Sequence, residues 1–390
     1  MRPWFFFKQK QYAFLKLKIV TATISIIVLV FSVLSCNGEK HKNLNIEVID
    51  FTKVSSAPLS EVHKAGILGE PVYIPLNNTI DGMWLRNIST VRMYDNKFYV
   101  ADKYLRSNLL IVYNAEGMPV SSVGSQGRGP GEYLQITDFD IDNSGNIHLI
   151  DGQADNLIIF NTKYEFSETK KLPYEVDMIK CLDNGNYLVA LSPWNIGKYR
   201  DDMIAIADKD LNIIESVIKY DRALIDENFY LGEFQFTTSS DKIFFRRPII
   251  DSVYVMNRAG ALDMIYYFDF GSSQMPHKYR ANIEPFWENK EINSYRTLID
   301  FSIANDRYAL GWLFDKGVRK YYIMERDKGV AYEKTAGALE EDIFGEFITV
   351  QDTNLVTVIA VTEGIINMLP ENIRERARQS DYILCLYPLK

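Results

Sequence analysis

Phe139-Asp140-Ile141-Asp142-Asn143-Ser144-Gly145-Asn146-Ile147-His148-Leu149-Ile150-Asp151 is two short apolar runs folded about a polar centre. Asn143, Ser144 and Gly145 tolerate the positive φ or side-chain-closed conformations that tight hairpins need, so the stretch predicts two antiparallel strands and a short turn. The arrangement recurs at 91–102, 179–191, 234–247, 301–312 and 349–360. The corresponding turns are Asp95-Asn96, Asp183-Asn184-Gly185, Ser239-Ser240-Asp241, Asn305-Asp306 and Asp352-Thr353-Asn354. A third strand follows each hairpin, at 109–114, 157–161, 203–208, 253–257, 321–325 and 382–387. Fourth strands follow five of the six, at 119–124, 166–172, 213–219, 262–269 and 330–335. A unit of this kind cannot bury its apolar faces alone, so the units must stack around an axis.

The pattern predicts an all-β fold, a six-bladed β-propeller of four-stranded antiparallel blades. The sixth unit lacks a fourth strand, and an unpaired outer edge would expose backbone donors and acceptors. The missing strand is expected from the N-terminal side, at 72–76, with 46–51 as a second or additional candidate. The ring would then be closed by an N-terminal strand. The 24 Tyr and 22 Phe suit strands packed face to face.

Residues 1–35 have a different character. Arg2, Lys8, Lys10, Lys16 and Lys18 precede the apolar run 19–34, with no acid among them. Charged-then-apolar order predicts a secretory signal. The run ends in Val33-Leu34-Ser35-Cys36, which resembles the bacterial lipobox, and that resemblance implies lipidation of Cys36. An uncleaved membrane anchor is the alternative, because the run approaches spanning length. The expected organisation is a signal at 1–35, a lipidated cysteine and tether at 36–45, and one β-domain at 46–390. Without residues 1–35 the chain keeps 38 Lys+Arg against 51 Asp+Glu, a formal charge of −13. That sign disfavours nucleic acid as a partner. Three cysteines do not form a disulfide framework, and Cys181 and Cys385 are expected as buried free thiols.

Strand parity bears on function. In a four-stranded antiparallel unit, turns one–two and three–four lie on one face, and turns two–three and the crossovers lie on the other. The first–second turns are short, whereas the long segments 125–135, 192–201, 220–232, 271–299, 337–347 and 361–380 all fall on the second face. Long connections are uncommon without a function, so this elaborated face is the expected binding surface.

Phe98-Tyr99-Val100-Ala101-Asp102, Val112-Tyr113-Asn114, Gly127-Arg128-Gly129-Pro130-Gly131-Glu132-Tyr133 and 139–147 together resemble the NHL repeat. The chain, including Tyr73-Ile74-Pro75-Leu76, is similar to the six-bladed β-propeller lipoproteins of Gram-negative bacteria. The resemblance implies fold and envelope location. NHL-type propellers include protein-, carbohydrate- and nucleic-acid-binding modules and a minority of metal-dependent lyases and hydrolases, so it implies little about substrate.

Candidate chemistry is sparse. Asp140, Asp142, Ser144, Gly145 and Asp151 approximate a calcium-loop spacing, but strands flank them where an EF-hand needs helices. Asp102 and Asp151 could add to an acidic calcium site in the channel, although both also read as turn residues. The glycines of 124–131 suggest a phosphate loop, yet a strand follows instead of a helix and the Gly-Lys-Ser/Thr element is missing. His148 reads as an inter-blade hydrogen-bonding residue. His-Glu-x-x-His, Cys-x-x-Cys and Gly-x-Ser-x-Gly do not occur in the sequence. The elaborated face offers Arg128, Trp194, Tyr199, Arg200, Arg246, Arg247, Trp287 and Trp312, a set of stacking rings and carboxylate-pairing guanidinia. Arg246-Arg247 would suit an acidic glycan.

These readings favour a non-catalytic, lipid-anchored envelope protein of the outer membrane. Its partner would be a glycan, a peptide or another envelope protein, held without a cofactor. A metal-dependent lyase or hydrolase with channel acids, calcium included, is the alternative, and an assembly scaffold is a third.

Overall fold

In the computed structural model all six hairpins form where their turn residues call for them. The two-residue turn of the first carries positive φ at both Asp95 and Asn96, 48° and 56°. Gly145 and Gly185 take the left-handed position in the second and third, at φ 85° and 81°. The structure describes residues 44–77, 84–103, 107–223, 225, 236–337 and 344–390. These belong to the unit Leu44–Lys390. Cys36 and the expected signal segment lie outside the described residues. Among the described residues, no helix is long and apolar enough to cross a membrane.

The hairpin repeats do not make six separate blades. Three are discrete four-stranded sheets, built from strands within 90–122, 136–171 and 176–219. The fifth repeat is a discrete five-stranded sheet, because Ser55–Pro58 adds in parallel to the outer strand Val330–Thr335. The fourth and sixth repeats share one nine-stranded sheet. The join is the short inner strand Thr237–Ser239, which pairs in parallel with Glu346–Asp352 through Thr238↔Gln351 and Ser239↔Asp352. Ser240 N and Ser239 Oγ both donate to the Asp352 carbonyl, at 3.1 and 3.0 Å. The expected six-bladed ring is therefore corrected to a propeller-like arrangement of four discrete blades and one fused sheet. Hairpin spacing defines the repeats, but it carries no information on whether neighbouring inner strands hydrogen-bond to one another.

The N-terminal strands take different places. Val72–Asn77 pairs antiparallel with Ser380–Pro388 at one edge of the nine-stranded sheet. Asn45–Asp50 pairs in parallel with Leu262–Asp269 at the opposite edge, so it is an outer strand of the fourth repeat, not a second strand of the sixth. The 3-10 helix Leu59–Ala65 buries Leu59 and Val62 in the largest core cluster, and His63 stacks on Phe344 at 5.2 Å.

Side-chain alternation places the core between sheets. Val100, Leu149, Val189 and Leu310 on second strands are fully buried. Polar residues stitch neighbouring inner strands. Asp138 Oδ2 accepts from Ile179 N at 3.0 Å, and Asp140 Oδ2 from Cys181 N at 2.7 Å. Asp102 and Asp151 end second strands and cap incoming chain: Asp102 accepts from Arg86 N and Asn87 N, Asp151 from Leu134 N and Gln135 N. Their carboxylates are occupied by backbone, which accounts for them without calcium.

Candidate functional site

Two cavities open on opposite faces. On the elaborated face, a cavity of about 360 Å³ is lined by Lys103, Thr137, Asp155, Glu175, Asp177 and Trp194, among others. Its residues come from the segments entering first strands and leaving second strands, the positions that strand parity assigns to this face. Trp194 is 40% exposed, and its indole N–H donates to the Glu175 carboxylate, which fixes the ring. Asn195 holds the connection in place, accepting from Glu175 N at 2.8 Å and donating to the Ser192 carbonyl at 3.0 Å. Burial, with Asp155 and Asp177 nearby, raises the Glu175 carboxyl above the usual range. Burial also raises Asp177, opposed by its 3.2 Å pair with Arg247 and the hydrogen bond from Ser192.

The second cavity, about 660 Å³, opens on the face of short turns at the mouth of the channel between inner strands. Its floor is charged. Arg92 is 5% exposed and spans the channel, with Nη1 donating to the Phe236 carbonyl at 2.7 Å and Nε to the Phe139 carbonyl at 3.3 Å. Lys180 Nζ sits 2.8 Å from Asp140, and Arg92 lies 3.7 Å from both Asp138 and Asp140.

The structure separates the eight predicted face residues. Trp194, Tyr199 and Arg200 share one connection, but Tyr199 is half-buried edge-on against Tyr174 at 4.9 Å. Arg246 is buried, donating to the carbonyls of Arg247 and Leu298 at 2.7 and 2.8 Å. Arg247 is buried against Asp177, and Trp312 is 2% exposed. A shallow depression reaches the edge of Trp312, while Arg319 covers its ring at 4.7 Å. Trp287 lies on the helix Ile283–Glu288, and its side chain is outside the described residues. Arg128 is exposed on the glycine loop and lines neither cavity. That loop closes on itself, for Glu132 Oε2 accepts from Gly129 N at 2.7 Å where a phosphate oxygen would have to sit. Its glycines serve close approach: a Cβ on Gly124 would meet the Gly131 carbonyl at 2.7 Å.

A family model described as a domain of unknown function, DUF4934, matches residues 46–382. The chain belongs to the DUF4934 family. No NHL-repeat or lipoprotein signature accompanies the match, so the resemblance drawn from 98–161 is corrected; short hairpin turns bearing Asn, Asp or Gly are generic to antiparallel sheets. No curated protein matches this DUF4934 chain. Among solved structures it is similar to a candidate exported protein of Bacteroides fragilis, at 18% identity and TM-score 0.70, covering 88% of this chain and 99% of that one. It is also similar to a DUF4221 family member of Bacteroides vulgatus, at 9% identity and TM-score 0.52, covering 83% and 98%. At such identities the likeness is one of fold.

Sequence reasoning missed the floor of the second cavity in this DUF4934 chain. A signal was present: Arg92, Asp140 and Lys180 occupy the same repeat position, each following an apolar residue on three successive first strands. The calcium-loop residues are dispersed. Asp142 caps its own turn, accepting from Ser144 N and Asn146 N at 2.9 and 2.8 Å, while Asp140 pairs with Lys180. His148 lies 3.2 Å from Asp142 and 3.1 Å from the Tyr187 hydroxyl, linking the second and third repeats. Among the described residues no group of three or more His, Cys, Asp or Glu could hold a metal ion. Cys181 lines the channel mouth as a free thiol, half-buried where full burial was expected. Cys385 is buried, and burial pushes its thiol up to about 12.

Proposed function

We propose that the chain is a non-catalytic exported binding module that takes a neutral glycan on its elaborated face, with Trp194 as the stacking plate. The observation that carries this is the fixed, exposed indole at the wall of a cavity holding Glu175, Asp177, Asp155 and Lys103. An aromatic plane offers its face to the C–H side of a sugar, and carboxylates beside it accept the hydroxyls. Arg246 and Arg247, the guanidinia that would have suited a uronic acid, are committed to the scaffold. The likeness to an exported protein and the signal-like N-terminus support export. Cys36 would carry a lipid that holds the domain to the envelope, with the outer membrane as its destination.

Truncating a stacking tryptophan at a binding hot spot costs about 2 kcal/mol or more. Trp194→Ala is therefore expected to lower affinity for the retained members of a neutral oligosaccharide panel (cello-, manno- and chito-series) by at least tenfold. The fold should be unchanged by circular dichroism, and equal binding by the two proteins would sink the reading. Cys36→Ala tests the anchor separately. The variant chain is expected to leave the membrane fraction of expressing cells for the soluble one, and full retention on membranes would contradict lipidation.

A further inference from the structure

We propose that Lys103 is the specificity-determining residue of the Trp194 cavity, and that it selects 2-acetamido sugars from other neutral glycans. This deepens the glycan reading above and rests on it. The carboxylates of the cavity are engaged. Asp177 pairs with Arg247 at 3.2 Å and accepts from the Ser192 hydroxyl. Asp155 pairs with Lys171 at 3.3 Å, and Glu175 accepts the Trp194 indole N–H. Lys103 is the one cation among the described lining residues. It is half-buried, and among the described residues no carboxylate or carbonyl oxygen holds its ammonium. Its three donors are therefore open to a ligand.

The backbone sets where this residue stands. Asp102 ends a second strand and caps Arg86 N and Asn87 N, and the next residue, Lys103, donates its own N–H to Ser89 Oγ at 3.2 Å. From the first repeat the side chain reaches a cavity otherwise lined by the second and third. Its charge is felt there: burial raises the Asp138 carboxyl, opposed first by Arg92 and then by Lys103. Ile136, Leu172 and Val176 supply apolar lining, and Thr137 a hydroxyl whose oxygen accepts from Gly152 N at 3.1 Å. An acetamido group presents a carbonyl oxygen, an N–H and a methyl. The cavity holds a counterpart for each, in the Lys103 ammonium, the Thr137 oxygen and the apolar lining. A plain hydroxyl at the same position would use the ammonium alone. Hydrogen bonds to a charged donor are the stronger kind, so the acetamido carbonyl gains most from Lys103. A volume of about 360 Å³, near the lower end for ligand pockets, suits one sugar residue with its neighbours outside.

The test is isothermal titration calorimetry on the full chain with triacetylchitotriose, cellotriose and trigalacturonate. Triacetylchitotriose is expected to bind about tenfold or more tighter than cellotriose, the scale of one charge-assisted hydrogen bond. Lys103→Met keeps the stem and removes the ammonium, and should bring triacetylchitotriose down to the level of cellotriose. Lys103→Arg, which keeps a charged donor, should retain part of the preference. Trp194→Ala should weaken both neutral trisaccharides. Equal binding of the two neutral sugars, both lost on Trp194→Ala, would overturn the role of Lys103 and leave the glycan reading standing. A preference that survives Lys103→Met, or tighter binding of trigalacturonate than of triacetylchitotriose, would also overturn it. Neutral-sugar binding untouched by Trp194→Ala, or absent altogether, would overturn the glycan reading and this proposal with it.

Discussion

Trp312→Ala is expected to cost about 3–5 kcal/mol of folding stability, the range for emptying a buried aromatic site. The ring is 2% exposed, packs edge-on against Tyr321 at 4.3 Å, and donates its indole N–H to the Phe347 carbonyl at 2.8 Å. Phe347 belongs to Glu346–Asp352 in the nine-stranded sheet, so this bond ties the five-stranded sheet to it. Truncation would leave a cavity and strand a buried carbonyl, and the two losses act together. Urea unfolding should show a lower midpoint. An unchanged midpoint with lost ligand affinity would restore Trp312 to the binding face. The contrast with Trp194→Ala is the point: one tryptophan holds two sheets together, and the other faces solvent.

Asp251→Ala should destabilise by a similar amount, about 3–5 kcal/mol, because it removes one partner of a buried ion pair. Asp251 is 1% exposed and sits 2.6 Å from Arg280, itself 5% exposed. The same carboxylate accepts from Thr297 Oγ1 at 2.8 Å, Leu298 N at 3.1 Å and the Gln274 side chain. It therefore pins both ends of the long connection after Leu262–Asp269 to the sheets beneath. Hydrogen exchange in 271–295 should accelerate first, with the global midpoint following. The double variant Asp251→Leu, Arg280→Met is expected to recover much of the loss, since replacing a buried pair with apolar volume is often neutral. Failure of the single variant to shift either quantity would show that the connection is held by its apolar contacts, Met275 and Ile283 among them.

Much of the local structure is written in the residues. Hairpin turns are set by Asn, Asp and Gly within a few positions, and the inner, second and third strands follow from short apolar runs. The partnership of inner strands is a long-range matter. Thr237–Ser239 and Glu346–Asp352 meet across more than a hundred residues, and nothing in Thr237-Thr238-Ser239 marks it for a parallel partner. That is why six repeats could be counted while their grouping into sheets could not. The same limit applies to the site. Parity put Arg246, Arg247 and Trp312 near the elaborated face, but parity gives the end of a strand, not the direction of a side chain. Each points into the scaffold. Trp194 escapes because Asn195 and Glu175 fix its connection at the surface.

The most direct measurement is a crystal structure of the full chain soaked with the neutral oligosaccharide that binds it best. The account predicts a sugar ring stacked on Trp194, with a hydroxyl donating to Glu175. A sugar seated elsewhere with the Trp194 face bare would contradict it.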